Sequence, residues 1–174
     1  MKSLPRLPPF RTPSVVRSGN MRAIRGRGNR TTELRLAALL ASSSIRGWTL
    51  HPTIPFASPD LLFYRFRVAV FVDGCFWHGC PRCGRVPKTN AQYWAAKIRR
   101  NVSRDRRDAR RLRKAGFMVL RIRECQLRRR PKLCLDRLRR ALHARIVLRA
   151  RDSSLRSRMT QKVEGAGFPR LRSG

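Results

Sequence analysis

The order of apolar patterns along the 174 residues predicts a small α/β domain with a mixed sheet flanked by helices. Three observations carry this. Residues 61–64 (LLFY) and 67–72 (RVAVFV) are two β-rich runs joined by a tight turn, which reads as a hairpin in a sheet core. Over residues 91–114, Trp94, Ile98, Val102, Asp105, Ala109 and Leu112 recur at helical spacing. A third β-rich run, residues 117–122 (FMVLRI), follows that helix directly.

The remaining elements fall into place around these. Thr31 or Thr32 is suited to cap a helix that runs to about Ser43, with Leu34, Leu36, Ala38, Leu39 and Leu40 as its apolar face. Residues 42–47 break it, and residues 48–59 read as a Pro-interrupted loop. Gly116 ends the long helix. Pro131 opens a last helix with Leu135, Leu138, Leu142 and Ile146 on one face. After about Arg149 the pattern dissolves. The expected organisation is a disordered basic, Pro-rich arm over residues 1–19, one domain over 20–149, and a disordered basic tail over 150–174. No internal repeat is visible.

Charge narrows the function. Lys and Arg number 42 against 9 Asp and Glu, a net charge of +33, and most of the cations are Arg. Self-repulsion on that scale destabilises a fold unless a polyanion offsets it, so nucleic acid is the expected partner. Arg also favours bidentate phosphate contacts. The N-terminus has no apolar core of signal-peptide length, and no run reaches transmembrane length. A cytoplasmic, nucleoid-associated bacterial protein with no membrane partner is expected. In that compartment, close cysteines point to metal or catalysis more often than to disulfides.

The chemistry concentrates in residues 71–83, FVDGCFWHGCPRC. Asp60 opens one strand of the hairpin and Asp73 closes the next. If the register brings them together, they offer oxygen ligands to a hard cation such as Mg²⁺, which phosphodiester hydrolysis uses. His78 is open to three uses: general base, zinc ligand or bystander. Cys80 and Cys83 have the spacing of half a tetrahedral zinc site, with Cys125 as the best further ligand and His51 the next. Cys75 precedes bulky aromatics and reads as packed. Phe76 and Trp77 sit in a polar, Gly-flanked loop where exposure and base stacking are expected. Trp94 lies on the helical stripe, where core packing is the default. Asp105 interrupts the same stripe, and a buried carboxylate there needs an Arg from a neighbouring element.

These residues together resemble the very short patch repair (Vsr) endonucleases, which nick DNA at mismatches. The matching pieces are residues 20–24 (NMRAI), 32–34 (TEL), Pro59-Asp60, residues 71–80 (FVDGCFWHGC), 87–90 (PKTN), Tyr93-Trp94, 97–108 (KIRRNVSRDRRD), 116–120 and Glu124-Cys125. The resemblance implies a restriction-endonuclease-like fold with a structural zinc site. It implies that Asp60 and the Val72 backbone carbonyl hold Mg²⁺, that His78, Asp73 and Glu33 complete the catalytic centre, and that Cys80, Cys83 and Cys125 bind zinc with His51 as the fourth ligand. Phe76, Trp77, Trp94 and Met21 match residues that wedge into DNA beside the mismatch, which reverses the default for Trp94. The implied substrate is duplex DNA with a T:G mismatch left by deamination of 5-methylcytosine. A cytosine-5 methyltransferase is then the functional neighbour, and the enzyme acts as a monomer. Two other classes stay open: a restriction-type nuclease of the same fold acting on paired DNA, and a non-catalytic zinc module that binds nucleic acid. Arg123 departs from the family pattern, standing where a tryptophan is common.

Overall fold

The computed structural model describes residues 6–9, 12 and 32–165, with backbone alone from residue 152 onward. Met21, Thr31, the segment 20–24 and nearly all of the arm expected over 1–19 lie outside the described residues, as does 166–174. Four strands and four helices follow in the order α1 (Glu33–Ser42), β1 (Thr49–Leu50), β2 (Leu61–Phe63), β3 (Val68–Asp73), α2 (Ala91–Lys114), β4 (Met118–Arg123), α3 (Glu124–Arg129) and α4 (Pro131–Gly165).

The sheet order is β1-β2-β3-β4. The first two pairings are antiparallel, with Thr49 opposite Leu62 and Leu61 opposite Val70. β3 and β4 are parallel, from Val68 opposite Met118 to Asp73 opposite Arg123. The sheet is therefore mixed, as the patterns predict. The turn between β2 and β3 closes with Arg67 at a φ of 51°. α2 is the crossover that parallel pairing requires, and it stops at Gly116, whose φ of 81° suits a residue without a Cβ.

All six residues of β3 are buried, because helices cover both faces of the sheet. Period-2 alternation divides the strands between two cores. Leu61, Phe63, Val68, Val70, Val72 and Ile122 face α1, α3 and α4, where they meet Leu36, Leu40, Leu127, Leu135 and Leu138. Leu62, Ala69 and Phe71 face the other way, toward Leu112 of α2. Each such buried leucine or phenylalanine contributes about 2 kcal/mol through removal of apolar surface from water.

Three features differ from the sequence-based expectation. β1 occupies residues read as loop, since two residues are too short to leave a pattern. The apolar face of α1 is Leu36, Ala37 and Leu40 together with Glu33, while Leu34 is exposed. α4 continues to Gly165, beyond the boundary drawn at 149, because no Gly or Pro interrupts the helix between Pro131 and that residue. With few carboxylates in the chain, arginines tie this helix down through carbonyl oxygens. Arg145 donates from Nε to Phe66 O at 3.0 Å and from Nη2 to Gly116 O at 2.6 Å, and Arg149 donates to Arg65 O.

Candidate active site and thiol cluster

The hairpin register decides the acid site. Asp60 immediately precedes β2, and its N–H donates to Val70 O at 3.0 Å. Its side chain consequently reaches the next residue pair, where Oδ2 accepts the Val72 N–H at 2.6 Å. Asp73 follows at the end of β3. Asp60, Val72, Asp73, His78 and Glu33 thus line one cavity of about 480 Å³, together with Trp77 and Asp105. Every residue expected at the catalytic centre faces this space.

The carboxylates around the cavity are not equivalent. Glu33, only 3 % exposed, is bonded to Nε2 of His51. Asp73 is held bidentately by Arg121 of β4, whose Nε donates to Oδ2 at 2.8 Å and whose Nη2 donates to Oδ1. Asp105 lies 2.6 Å from His78 Nδ1 and 3.1 Å from Arg121 Nη2. Asp60 makes no ion pair among the described residues. Burial raises its pKa to about 6 against the opposing Val72 hydrogen bond, with Glu33 and Asp73 adding to the rise. Burial also favours the neutral form of Asp105, but the His78 hydrogen bond and the charges of His78, Arg121 and Arg104 outweigh it and hold that carboxyl below its ordinary range. Arg121 is held further toward its charged form: its burial is outweighed by Asp73, Asp105 and Asp60.

A partly buried carboxylate without a cation is the place where a hard cation fits. Asp60 supplies an anionic oxygen beside the Val72 backbone, whereas Asp73, Glu33 and Asp105 already have cationic or histidine partners. Asp105, read from sequence as structural, meets an arginine of a neighbouring element and also orients His78. Arg121 is the residue that sequence reasoning missed. The only available signal was a charged residue inside an apolar strand run, which is ambiguous until the pairing with Asp73 is known.

The second cluster lies just beyond. Cys75, Cys80, Cys83 and Cys125 present four sulfurs within 4.8 Å of one another. Sγ of Cys80 lies 3.8 Å from that of Cys125 and 3.5 Å from that of Cys83. All are free thiols. A tight loop folds Cys75 back on Cys80, with Cys80 N–H donating to Cys75 O at 3.0 Å. Gly84 seals the loop: a Cβ there would come within 2.7 Å of the Cys80 backbone. Burial pushes the Cys80 thiol up, but the Arg82 and Cys83 backbone and the thiols of Cys83 and Cys125 outweigh it and hold it at about 6. Four convergent sulfurs fit tetrahedral zinc.

His51 does not belong to this cluster, which corrects its assignment as the fourth zinc ligand. Its backbone N–H donates to Asp60 O at 2.8 Å and its ring is engaged by Glu33. Cys75 occupies the fourth corner instead. The aromatic neighbours that suggested packing are real, but the backbone turn after Gly74 sends the thiol inward and the rings outward.

Trp77 lines the cavity, and Phe76 packs against it as a second partly exposed ring, with centroids 4.9 Å apart. Trp94 underlies them at 5.3 Å and 5.9 Å in edge-to-face contact. It is only 8 % exposed, so it forms the floor of the aromatic group rather than its tip.

Comparison with known proteins places the chain among nucleases. The family model described as DNA mismatch endonuclease Vsr matches residues 12–83. The chain is similar to the DNA mismatch endonuclease Vsr of Escherichia coli (strain K12), with 41% identity over 121 residues, covering 68% of this chain and 76% of that enzyme. It is 56% identical to the type II nicking enzyme V.NaeI of Lentzea aerocolonigenes over 64 residues, which span 37% of this chain and 39% of that enzyme's length. With the type II nicking enzyme V.XorIIP of Xanthomonas oryzae pv. oryzae it shares 37% identity over 109 residues, covering 62% of this chain and 78% of that enzyme. Among solved structures, the homing endonuclease I-Bth0305I catalytic domain aligns with a TM-score of 0.46 and 18% identity, over 66% of this chain and 95% of that domain. No described helix is long and apolar enough to cross a membrane.

Proposed function

The chain belongs to the Vsr DNA mismatch endonuclease family, and from that premise we propose that it hydrolyses one phosphodiester of duplex DNA beside a T:G mismatch, using magnesium. The observation that carries this reading is Asp60, the one carboxylate at the cavity without an ion-pair partner among the described residues. Asp60 and the Val72 carbonyl would hold the magnesium. When bound, the ion supplies Lewis acidity toward the scissile phosphate and charge stabilisation for the leaving oxygen.

The chain's own groups do the rest. His78 donates its Nδ1–H to Asp105, which leaves Nε2 with the lone pair that takes a proton from the attacking water. Asp105 then stabilises the imidazolium. Arg121 fixes Asp73 and Asp105 together, so the wall of the cavity keeps its shape as charge develops. Glu33 holds His51 beside the Asp60 backbone. Phe76 and Trp77, with Trp94 beneath them and Met21 from the N-terminal segment, wedge into the duplex. A mismatched pair is cheaper to unstack than a matched one, so deformability contributes to selectivity. Cys75, Cys80, Cys83 and Cys125 would hold zinc, fixing the aromatic loop to the ends of β3 and β4. Deamination of 5-methylcytosine makes the T:G pair, so a cytosine-5 methyltransferase is the functional neighbour of this enzyme, which acts as a monomer from residues 20–149.

The relatives named type II nicking enzymes favour a second reading, in which strand nicking occurs within a fully paired recognition sequence. Nicking of otherwise identical T:G and T:A duplexes with magnesium distinguishes the two. The mismatch reading expects cleavage of the T:G duplex alone, and equal cleavage of both would overturn it. Asp60→Asn should reduce nicking by about three orders of magnitude while leaving duplex binding within a few fold. Retained nicking would remove Asp60 from the metal site.

A further inference from the structure

A second cavity lies behind the acid site. It has a volume of about 440 Å³, and Asp73, His78 and Asp105 form the partition between it and the first. Its other walls are mainly arginine, with Gly79, Val102 and Ala109 among them. Arg106, Arg110 and Arg113 recur on one stripe of α2, and Arg121 and Arg123 project from the face of β4 that packs toward that helix. The stripe explains the cavity's shape. Leu112 and Val119 close the α2–β4 interface with apolar contact, and one strand step farther on arginines replace apolar residues and hold the two elements apart.

The electrostatics of this groove are one-sided. Arg106, Arg110 and Arg113 make no ion pair among the described residues. The carboxylates that face it, Asp73 and Asp105, are already engaged by Arg121 and His78. Arg121 uses Nε and Nη2 for that purpose, while its buried Nη1 has no hydrogen-bond partner. Five arginines against two carboxylates that are already engaged leave the groove with an excess of positive charge, which a phosphate would offset.

We propose that this groove between α2 and β4 is a second phosphate-binding site, which takes a backbone phosphodiester of the bound duplex other than the scissile one. The proposal rests on the nuclease reading and adds to it a fixed point for the DNA backbone. Arg121 is shared between the groove and the catalytic partition, so a phosphate seated in the groove is one guanidinium away from the carboxylate that orients His78. A duplex that fills the groove in the correct register therefore also presses the partition into place.

The test couples protein and DNA changes. Binding is measured without added magnesium for wild type and for Arg106→Gln/Arg110→Gln/Arg113→Gln, whose exposed side chains take no part in the buried cores. The probes are T:G and T:A duplexes in which single phosphates are replaced one at a time by neutral methylphosphonate. The expected result is one position, away from the scissile bond, where the replacement weakens wild-type binding by about tenfold and the variant's hardly at all. The same coupling should appear with both duplexes and should survive in Arg128→Gln/Arg129→Gln/Arg140→Gln, which removes as much charge elsewhere. Absence of coupling at every position, or coupling at the scissile phosphate, would overturn the proposal. So would a groove that responds only to inorganic phosphate, seen as competition lost in the variant with no methylphosphonate effect. Failure of the mismatch reading would show separately, as equal nicking of T:G and T:A duplexes with this coupling unchanged.

Discussion

The acid cavity and the thiol cluster are built by the same loop, yet they treat charge in opposite ways. Around the cavity, Glu33, Asp73, Asp105 and Asp108 are matched to His51, Arg121, His78 and Arg107, and Asp60 alone has no ion-pair partner among the described residues. In the thiol cluster four sulfurs face one another within 4.8 Å. The first arrangement leaves coordination positions for substrate and water. The second offers four sulfur donors, enough to fill every position of a tetrahedral ion. Open and closed donor sets are what separate catalytic from structural metal sites, and here they sit at adjacent strand ends.

The largest effect that bears on this contrast is expected from the closed site. Cys125→Ser removes one corner and should leave the domain unfolded at room temperature, since a structural zinc supplies about 10 kcal/mol or more of folding free energy in small domains. Circular dichroism together with zinc stoichiometry checks it. A folded, zinc-free variant would mean that the thiols are merely packed. Asp105→Asn tests the open site and should act on chemistry alone. Without the carboxylate, the tautomer and orientation of His78 are no longer fixed. Single-turnover nicking should fall by about 100-fold at unchanged DNA affinity, with the protein still folded at the assay temperature despite a modest loss of stability from the broken His78 and Arg121 contacts. A variant that melted early instead would make Asp105 a structural residue.

The smallest effect concerns pH. Asp60 has its pKa raised to about 6, so the folded state holds a proton that the unfolded chain releases near pH 4. Its contribution to stability without magnesium is thus lost as pH rises from about 4 to 6, and the loss is complete above that. Asp105, held below its ordinary range, has the opposite sign and acts at lower pH: its contribution is present above the unfolded value and disappears on acidification. Melting curves of wild type and Asp60→Asn between these pH values should diverge by ~1–2 kcal/mol, the variant lacking the downward slope. Parallel curves would show that Asp60 is not desolvated.

The parts of this molecule that sequence revealed are those with a periodic or local signature. The hairpin, the long crossover helix and the strand after it follow from alternation and helical spacing, and Asp60, Asp73 and His78 from their position at strand ends. What sequence hid depends on the direction of a turn or on pairing across the sheet. Cys75 looked like a packed residue because its neighbours are aromatic, and only the fold-back of residues 74–80 shows its sulfur joining the others. His51 looked available for zinc, but β1 places it beside Glu33 and Asp60. Arg121 became meaningful only once β4 was known to lie parallel to β3, with Asp73 opposite Arg123.

That parallel pairing also sets the order of events in folding. Cys80 and Cys83 are close in the chain and can approach each other before the sheet forms. Cys125 lies 45 residues beyond Cys80 and enters only when β4 docks beside β3, the slow, high-contact-order step of this topology. Assembly of the four-sulfur cluster and closure of the sheet are therefore one event in folding.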